Sequence, residues 1–213
     1  MAVPTKNVDW RALDRADLAE IRIDLIGPAW RSLAKHCPKP WIACNRSRDQ
    51  GGSWRGSEEN RLRQLLEAAD MGAEIVDIEM SAPNLRDQVQ KIREKGADCL
   101  ISYHDFKGTP PLEELRAIVE RELAAGSDIC KVATFAKDFQ DNLTTLRLVA
   151  EFSRNNRTVC FAMGRLGWVS RVVSPLVGAH FVYAATNKAV APGQLEADKL
   201  AAIYQIIEEA SGR

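Results

Sequence analysis

No stretch of the 213-residue sequence is long and apolar enough to cross a bilayer, which takes about 20 residues as a helix. The opening MAVPTKNVDW lacks the apolar core of a secretory leader, so the expectation is a cytoplasmic protein with no membrane partner. An excess of either charge is also missing. Lys plus Arg number 29 and Asp plus Glu number 29, which argues against a nucleic acid or an anionic membrane as the main partner. Histidines are few, three in all, and the five cysteines show no CxxC spacing, so no metal site is expected. Cys44, Cys99 and Cys160 instead end short apolar runs, where a thiol behaves as a small buried hydrophobe. Neither G-x-G-x-x-G nor GxxxxGK[ST] occurs, which removes support for a nucleotide-binding open sheet.

What is present is alternation. Candidate strands are Ala19–Ile26, Trp41–Asn45, Glu74–Glu79, Cys99–His104, Asp128–Ala133, Thr158–Ala162 and His180–Ala184, with a stub at Ala2–Thr5. Helical patterns lie between them: Glu58–Met71, Asn84–Lys95, Leu112–Ala125, Phe139–Arg154, Val169–Leu176 and Gln194–Ala210. Leu115, Ile118, Val119 and Leu123 fall on one face, as a helix covering a sheet requires. Gly72, Gly96 and Gly126 each stand between a helical run and the next strand, where a helix C-terminal glycine belongs. Strand–helix alternation at this spacing implies α/β architecture with a parallel sheet, either doubly wound or an eight-stranded barrel. Charged residues recur at the C-terminal ends of successive strands: Glu20, Arg22 and Asp24, then Arg46, then Asp77 and Glu79, then His104 and Lys131. Barrel enzymes place their catalytic groups there, so the expected fold is a (β/α)8 TIM barrel, one catalytic domain over residues 1–213.

Lys131, within SDICKVATF, sits in the middle of a buried strand pattern. Such a lysine must be paired, neutralised or in use. From this segment alone, a solvated lysine on an edge strand and an amine that attacks a carbonyl both stay open. His104 ends CLISYHDF on the preceding strand. A lysine imine needs a proton shuttle within reach, and a histidine one strand away is placed for that work. In EIRID the charges of Glu20, Arg22 and Asp24 alternate with Ile21 and Ile23, so in a barrel one set points inward and must find partners.

Taken together, EIRID, NRS followed by GG, DIE, SYHDFKGTP, ICKVA, MGRLGWVSR and APGQ resemble the type I 3-dehydroquinate dehydratases, in family order from Glu20 to Gln194. The resemblance implies dehydration of 3-dehydroquinate to 3-dehydroshikimate in the shikimate pathway, with no metal or organic cofactor. Lys131 would form the imine with the C3 ketone, and His104 would move the C2 proton and assist the departing C1 hydroxyl. Arg171 and Gln194 would hold the substrate carboxylate, while Glu20 and Arg46 would meet the ring hydroxyls. Arg22, Asp24, Asp77 and Glu79 would support these groups. Pro192 and Gly193 would lie in a loop that closes over the ligand. A homodimer is common in the family.

Departures from the family pattern accompany the match. Gln50 stands where a glutamate near the histidine is usual, which implies a lower His104 pKa. Val190 replaces a serine near the carboxylate site, and the chain before Glu20 is too short for a full first βα unit. These leave two alternatives beside the main reading: another Schiff-base lyase or aldolase acting on a small hydroxy-keto acid, and a poorly catalytic metabolite-binding paralogue.

Overall fold

The computed structural model describes residues 1–3, 5, 13–185 and 192–212. Seven strands form one parallel sheet whose spatial order is the chain order: β1 (Ala2–Val3), β2 (Ala19–Arg22), β3 (Trp41–Cys44), β4 (Ile75–Glu79), β5 (Asp98–His104), β6 (Ile129–Phe135) and β7 (Arg157–Met163). The helices are α1 (Ile23–Ile26), α2 (Trp30–His36), α3 (Glu58–Asp70), α4 (Leu85–Glu94), α5 (Leu112–Ala124), α6 (Asp141–Phe152), α7 (Trp168–Val173) and α8 (Ala197–Ser211). A parallel sheet whose strands pair with their chain neighbours, with a helix after each of β2 to β7, curls on itself. Ala185 brings the edges together: it forms a parallel bridge with Ala2, and the Ala2 N–H donates to the Ala184 carbonyl at 3.2 Å. The fold is the TIM barrel that the alternation implies.

Two apolar layers hold it. Between strands and helices, Ile21, Ala43, Val76, Ile78 and Ile101 meet Leu65, Ala68, Val89 and Ile92, and further round Val132 and Cys160 meet Leu115, Val119 and Leu148. Inside the barrel, Ile42, Ile75, Leu100, Ile129 and Val159 form a plug topped by Phe161 and Tyr183. Alternation along each strand puts the next inward positions, one pleat higher, on top of this plug. Those positions carry Cys44, Asp77, Ser102 and Lys131, and they form the floor of the site.

Helix starts follow local chemistry. The Ser57 hydroxyl accepts the Asn60 N–H at 3.2 Å ahead of α3, whose first turn carries Glu58 and Glu59. Gly72, Gly96 and Gly126 take φ values of 91°, 83° and 97°, the left-handed conformation expected of helix-terminating glycines.

Several boundaries differ from expectation. The run Ala19–Ile26 stops being a strand at Arg22, and Ile23–Ile26 turns into α1. Gly27, with φ 67°, and Pro28 then lead through a 3-10 turn into α2, whose fully buried Trp30 anchors it to the core. His180–Ala184 makes no strand; among the described residues its backbone pairs at single points, His180 N–H to Thr158 C=O and Ala184 C=O to Ala2 N–H. Val169–Leu176 divides into α7 and a 3-10 turn at Ser174–Val177 because Pro175 lacks the N–H that would extend the helix. Only residues 4–18 separate β1 from β2, which agrees with a shortened first unit.

Candidate active site

Lys131 projects from the middle of β6 and is 4% exposed. Its Nζ donates to Asp77 Oδ2 at 2.8 Å and to the Tyr183 hydroxyl at 3.1 Å, and Glu20 Oε2 lies 3.8 Å away. The amine also sits over the Tyr183 ring, 4.3 Å from its centre. A buried ammonium is tolerated here because carboxylates on β2 and β4 converge on it from across the barrel. Asp77 has a second cation: Arg46 Nη2 donates to Oδ2 at 2.6 Å, and Ser102 Oγ donates to Oδ1 at 2.7 Å. Burial alone would raise the Asp77 pKa, yet Arg46 and Lys131 hold it far below the usual carboxylate range.

A ladder of alternating charge continues outward. Arg46 Nη1 lies 3.4 Å from Glu79 Oε1, and Glu79 also pairs with Arg61, which reaches in from α3 and grips Glu58 at 2.6 Å. The Ser47 N–H adds a bond to Glu79 at 2.9 Å. Arg46 therefore directs its terminal nitrogens at Ser102, Asp77 and Glu79, and it works as the spine of the site as well as part of its wall. On β2, Arg22 holds Asp24 through two bonds of 2.9 and 2.8 Å, and Asp24 accepts the Ser53 N–H at 3.0 Å. Asp24 was expected on the strand. It stands instead in the first turn of α1, where it joins β2 to the loop after β3.

His104 ends β5. In the register Ser102 is level with Lys131 and His104 with Ala133, so the His104 Cα stands one pleat beyond that of Lys131, about 7 Å further along the strand direction. Burial, then Arg46 and Lys131, push its pKa well below the usual histidine value, and its Nδ1 is buried without a hydrogen-bond partner. Phe106 lies parallel to the ring at 6.1 Å and packs over Gly51, where a side chain would collide with it at 2.4 Å. The lowering of the His104 pKa comes from burial and the two neighbouring cations, and Gln50 is not among its causes. The Gln50 side chain bonds to the backbone: its Oε1 accepts the N–H of His104 at 3.1 Å.

On the opposite wall, Arg171 of α7 is 1% exposed and stacks over Phe161 at 4.0 Å. Among the described residues no carboxylate pairs with it. Its Nη2 donates to the Pro192 carbonyl at 3.3 Å, Nε has no partner, and burial lowers its pKa to about 10. Pro192 and Gln194 line the same cavity, and Gly193 packs so tightly on the Gly164 carbonyl that a Cβ would meet it at 2.3 Å. Val190 lies outside the described residues.

These groups enclose about 640 Å³, counted with the opening to solvent. Three residues that line this cavity, Glu20, His104 and Arg171, each hold a buried polar atom without a hydrogen-bond partner (Oε2, Nδ1 and Nε), as suits a pocket for a polar ligand. Glu20, Cys44 and Asp77 also bring ligand-type atoms within 4.8 Å of one another. Lys131 and Arg46 already face these carboxylates, however, and burial pushes the Cys44 thiol up, away from the thiolate that a metal requires. The donor set suits an amine.

The structure thus brings Glu20, Arg22, Arg46, Gln50, His104, Lys131, Arg171 and Gln194 to one cavity, with Asp24, Asp77 and Glu79 bonded to members of that set. Tyr183 and Ser102 were not anticipated. Tyr183 belongs to the apolar segment Phe181–Ala184, and its inward position in the eighth slot of the barrel was the one available signal.

Comparison with known proteins gives the same picture. The family model for type I 3-dehydroquinase matches residues 5–211. The chain is similar to the 3-dehydroquinate dehydratase of Dehalococcoides mccartyi, 39% identical over 190 residues that cover 88% of this chain and 85% of the relative. Against that of Methanosarcina barkeri the identity is 38% over 208 residues, covering 91% and 86%. The crystal structure of 3-dehydroquinate dehydratase from Geobacillus kaustophilus superposes with a TM-score of 0.85 at 26% identity, covering 98% of this chain and 90% of that one.

Proposed function

The chain belongs to the type I 3-dehydroquinase family and dehydrates 3-dehydroquinate to 3-dehydroshikimate, a hydro-lyase step of the shikimate pathway; we propose that it does so through an imine on Lys131. The amine adds to the C3 ketone, and loss of water gives a protonated imine. His104 takes the C2 proton, and the electrons left behind flow to the imine nitrogen. The same proton then goes to the C1 hydroxyl, which leaves as water while the C1–C2 double bond forms. Hydrolysis frees the product ketone and restores the amine.

The observation that carries this reading is a buried lysine amine, bonded to Asp77, in a cavity whose lining includes Glu20, His104 and Arg171, each with a buried polar atom that has no hydrogen-bond partner. Asp77 and the Tyr183 ring flank the buried nitrogen on which positive charge develops. A histidine kept neutral by burial is in the form that accepts a proton. Arg171, buried beside no acidic partner among the described residues, receives the substrate carboxylate together with Gln194, and Glu20 receives a ring hydroxyl. Arg46, Glu79, Arg22, Asp24 and Gln50 keep these groups in place through the bonds described above. We extend the reading to a single catalytic domain in a reducing cytoplasm, which suits five free thiols. A homodimer fits the exposed Leu166, Trp168 and Leu176, and sedimentation at two concentrations tests it.

Incubation with 3-dehydroquinate, with the enone product followed by absorbance, tests the mechanism when combined with borohydride trapping and mass spectrometry. The adduct is expected on Lys131, and Lys131→Ala is expected to lose both adduct and turnover. Turnover that survives in Lys131→Ala rules out the imine.

A further inference from the structure

Asn142, the second residue of α6, is 1% exposed, and its amide is bonded on both sides. The amide nitrogen donates to the Phe139 carbonyl at 3.1 Å and to the Leu166 carbonyl at 2.9 Å, while the amide oxygen accepts the Ser170 N–H at 2.9 Å. Phe139 lies in the connection that follows β6, the strand of Lys131; Leu166 lies in the connection that follows β7. Ser170 immediately precedes Arg171 in α7, and its hydroxyl also accepts the Ala162 N–H of β7 at 2.9 Å. One buried amide therefore joins the chain leaving the lysine strand to the turn that presents the arginine. Arg171 itself is held loosely, by a ring stack and a 3.3 Å bond to Pro192, so its position depends on where Ser170 is fixed.

We propose that Asn142 is a positioning residue that sets the spacing between the Lys131 amine and the Arg171 guanidinium, and so selects substrates by the distance from ketone to carboxylate. The inference rests on the reading that Lys131 takes the ketone and Arg171 the carboxylate. A side chain that only stabilised the fold would weaken kcat and KM without regard to Arg171. One that acts through Arg171 changes binding only while the arginine is present.

The test compares Asn142→Ala, Arg171→Ala and the double variant, with kcat and KM measured for 3-dehydroquinate. Asn142→Ala is expected to raise KM about tenfold with kcat within about threefold of the parent. In the Arg171→Ala background the same change is expected to raise KM by less than about twofold. Equal effects in both backgrounds, or a fall in kcat at unchanged KM, overturn the inference. Asn142→Asp covers the case in which the alanine variant does not fold. It keeps the acceptor for the Ser170 N–H, loses both donors to the loop carbonyls, and places a negative charge where a helix start favours one. It is expected to show the same rise in KM, and a parental KM overturns the proposal. Should Arg171→Ala itself keep the parental KM, the carboxylate assignment falls and takes this inference with it. A normal Arg171 effect without an Asn142 effect removes the inference alone.

Discussion

Lys131 Nζ stands 2.8 Å from Asp77 Oδ2, and the same carboxylate oxygen accepts Arg46 Nη2 at 2.6 Å, so one buried anion is shared by two buried cations. Deleting that anion leaves Lys131 with only Glu20 at 3.8 Å and Arg46 with only Glu79 at 3.4 Å, both longer contacts than the bonds lost. Asp77→Asn is expected to destabilise the protein by about 3–5 kcal/mol, the range for breaking a buried pair, and to slow borohydride-trapped imine formation. Urea unfolding and single-turnover trapping check the two effects. Unchanged stability would show that Arg46 and Lys131 find other partners.

Tyr183 meets the amine with both its hydroxyl and its ring. Tyr183→Phe removes the 3.1 Å bond and keeps the ring 4.3 Å below the nitrogen, so a loss near 1 kcal/mol, about fivefold in kcat, is expected. Tyr183→Leu removes the cation–π contact as well and should lose about a further three- to thirtyfold. Steady-state kinetics of the pair separates the contributions. Equal activity of the two variants would assign the whole effect to the hydroxyl.

The pH dependence follows from His104, whose pKa in the folded protein is pushed down by burial, then by Arg46 and Lys131. Below the unfolded value of about 6.5 the unfolded chain binds a proton that the folded chain refuses, so stability falls as pH drops through that value toward the folded pKa. Asp77, held low after its two cations outweigh burial, adds a second loss below about 3.8. Gln50→Glu brings a carboxylate near the histidine and should move the acid limb of kcat/KM to higher pH. Superimposable pH–rate profiles for parent and variant would dismiss that role for position 50.

Arg171 illustrates function set against stability. Burial lowers its pKa to about 10 with no acid beside it among the described residues, so no neighbouring carboxylate balances its charge. Arg171→Leu is expected to retain or raise the melting temperature while kcat/KM falls by about 10–10²-fold, the scale of losing a buried charge-assisted contact. In the parent, substrate affinity should decline as pH rises through about 10. Differential scanning calorimetry alongside kinetics decides; a large drop in melting temperature would indicate that Arg171 stabilises the fold.

Glu122, on the inner face of α5, is fully buried beside the Cys130 thiol and the Lys131 backbone N–H, with no ion-pair partner among the described residues. Burial raises its pKa well above the usual value. A raised acid contributes stability below its unfolded pKa and loses it as pH rises through the folded pKa, the reverse of Asp77. Glu122→Gln should therefore raise the melting temperature more at pH 9 than at pH 5. Melting curves at the two values check the direction.

Residue type and spacing made much of the site legible. Lys131 on a strand of apolar neighbours, His104 at the end of the strand before it, and charge at successive strand ends are all local patterns, because alternation fixes which residues share the inside of a barrel. Tyr183 and Ser102 were hidden because a tyrosine in an apolar run and a serine within CLISYH look like ordinary strand residues. Their roles arise from register: Ser102 is level with Lys131, and Tyr183 fills the slot that brings the two ends of the sheet together. Asp24 shows the opposite failure. Its alternation with Glu20 and Arg22 is that of a strand, but the chain turns at Ile23, a choice made by the packing of Trp30 and the Gly27–Pro28 turn.

By itself the sequence determined the parallel barrel, the inward lysine and histidine, and the family, since each is written in hydrophobic period or in contiguous motifs. Only the tertiary structure decided which carboxylate meets the amine, that Gln50 serves a backbone N–H, and that Arg171 is left without an acidic partner among the described residues. Those outcomes depend on distances between residues tens of positions apart, and such distances come into being only when the sheet curls and its two ends meet at Ala2 and Ala185.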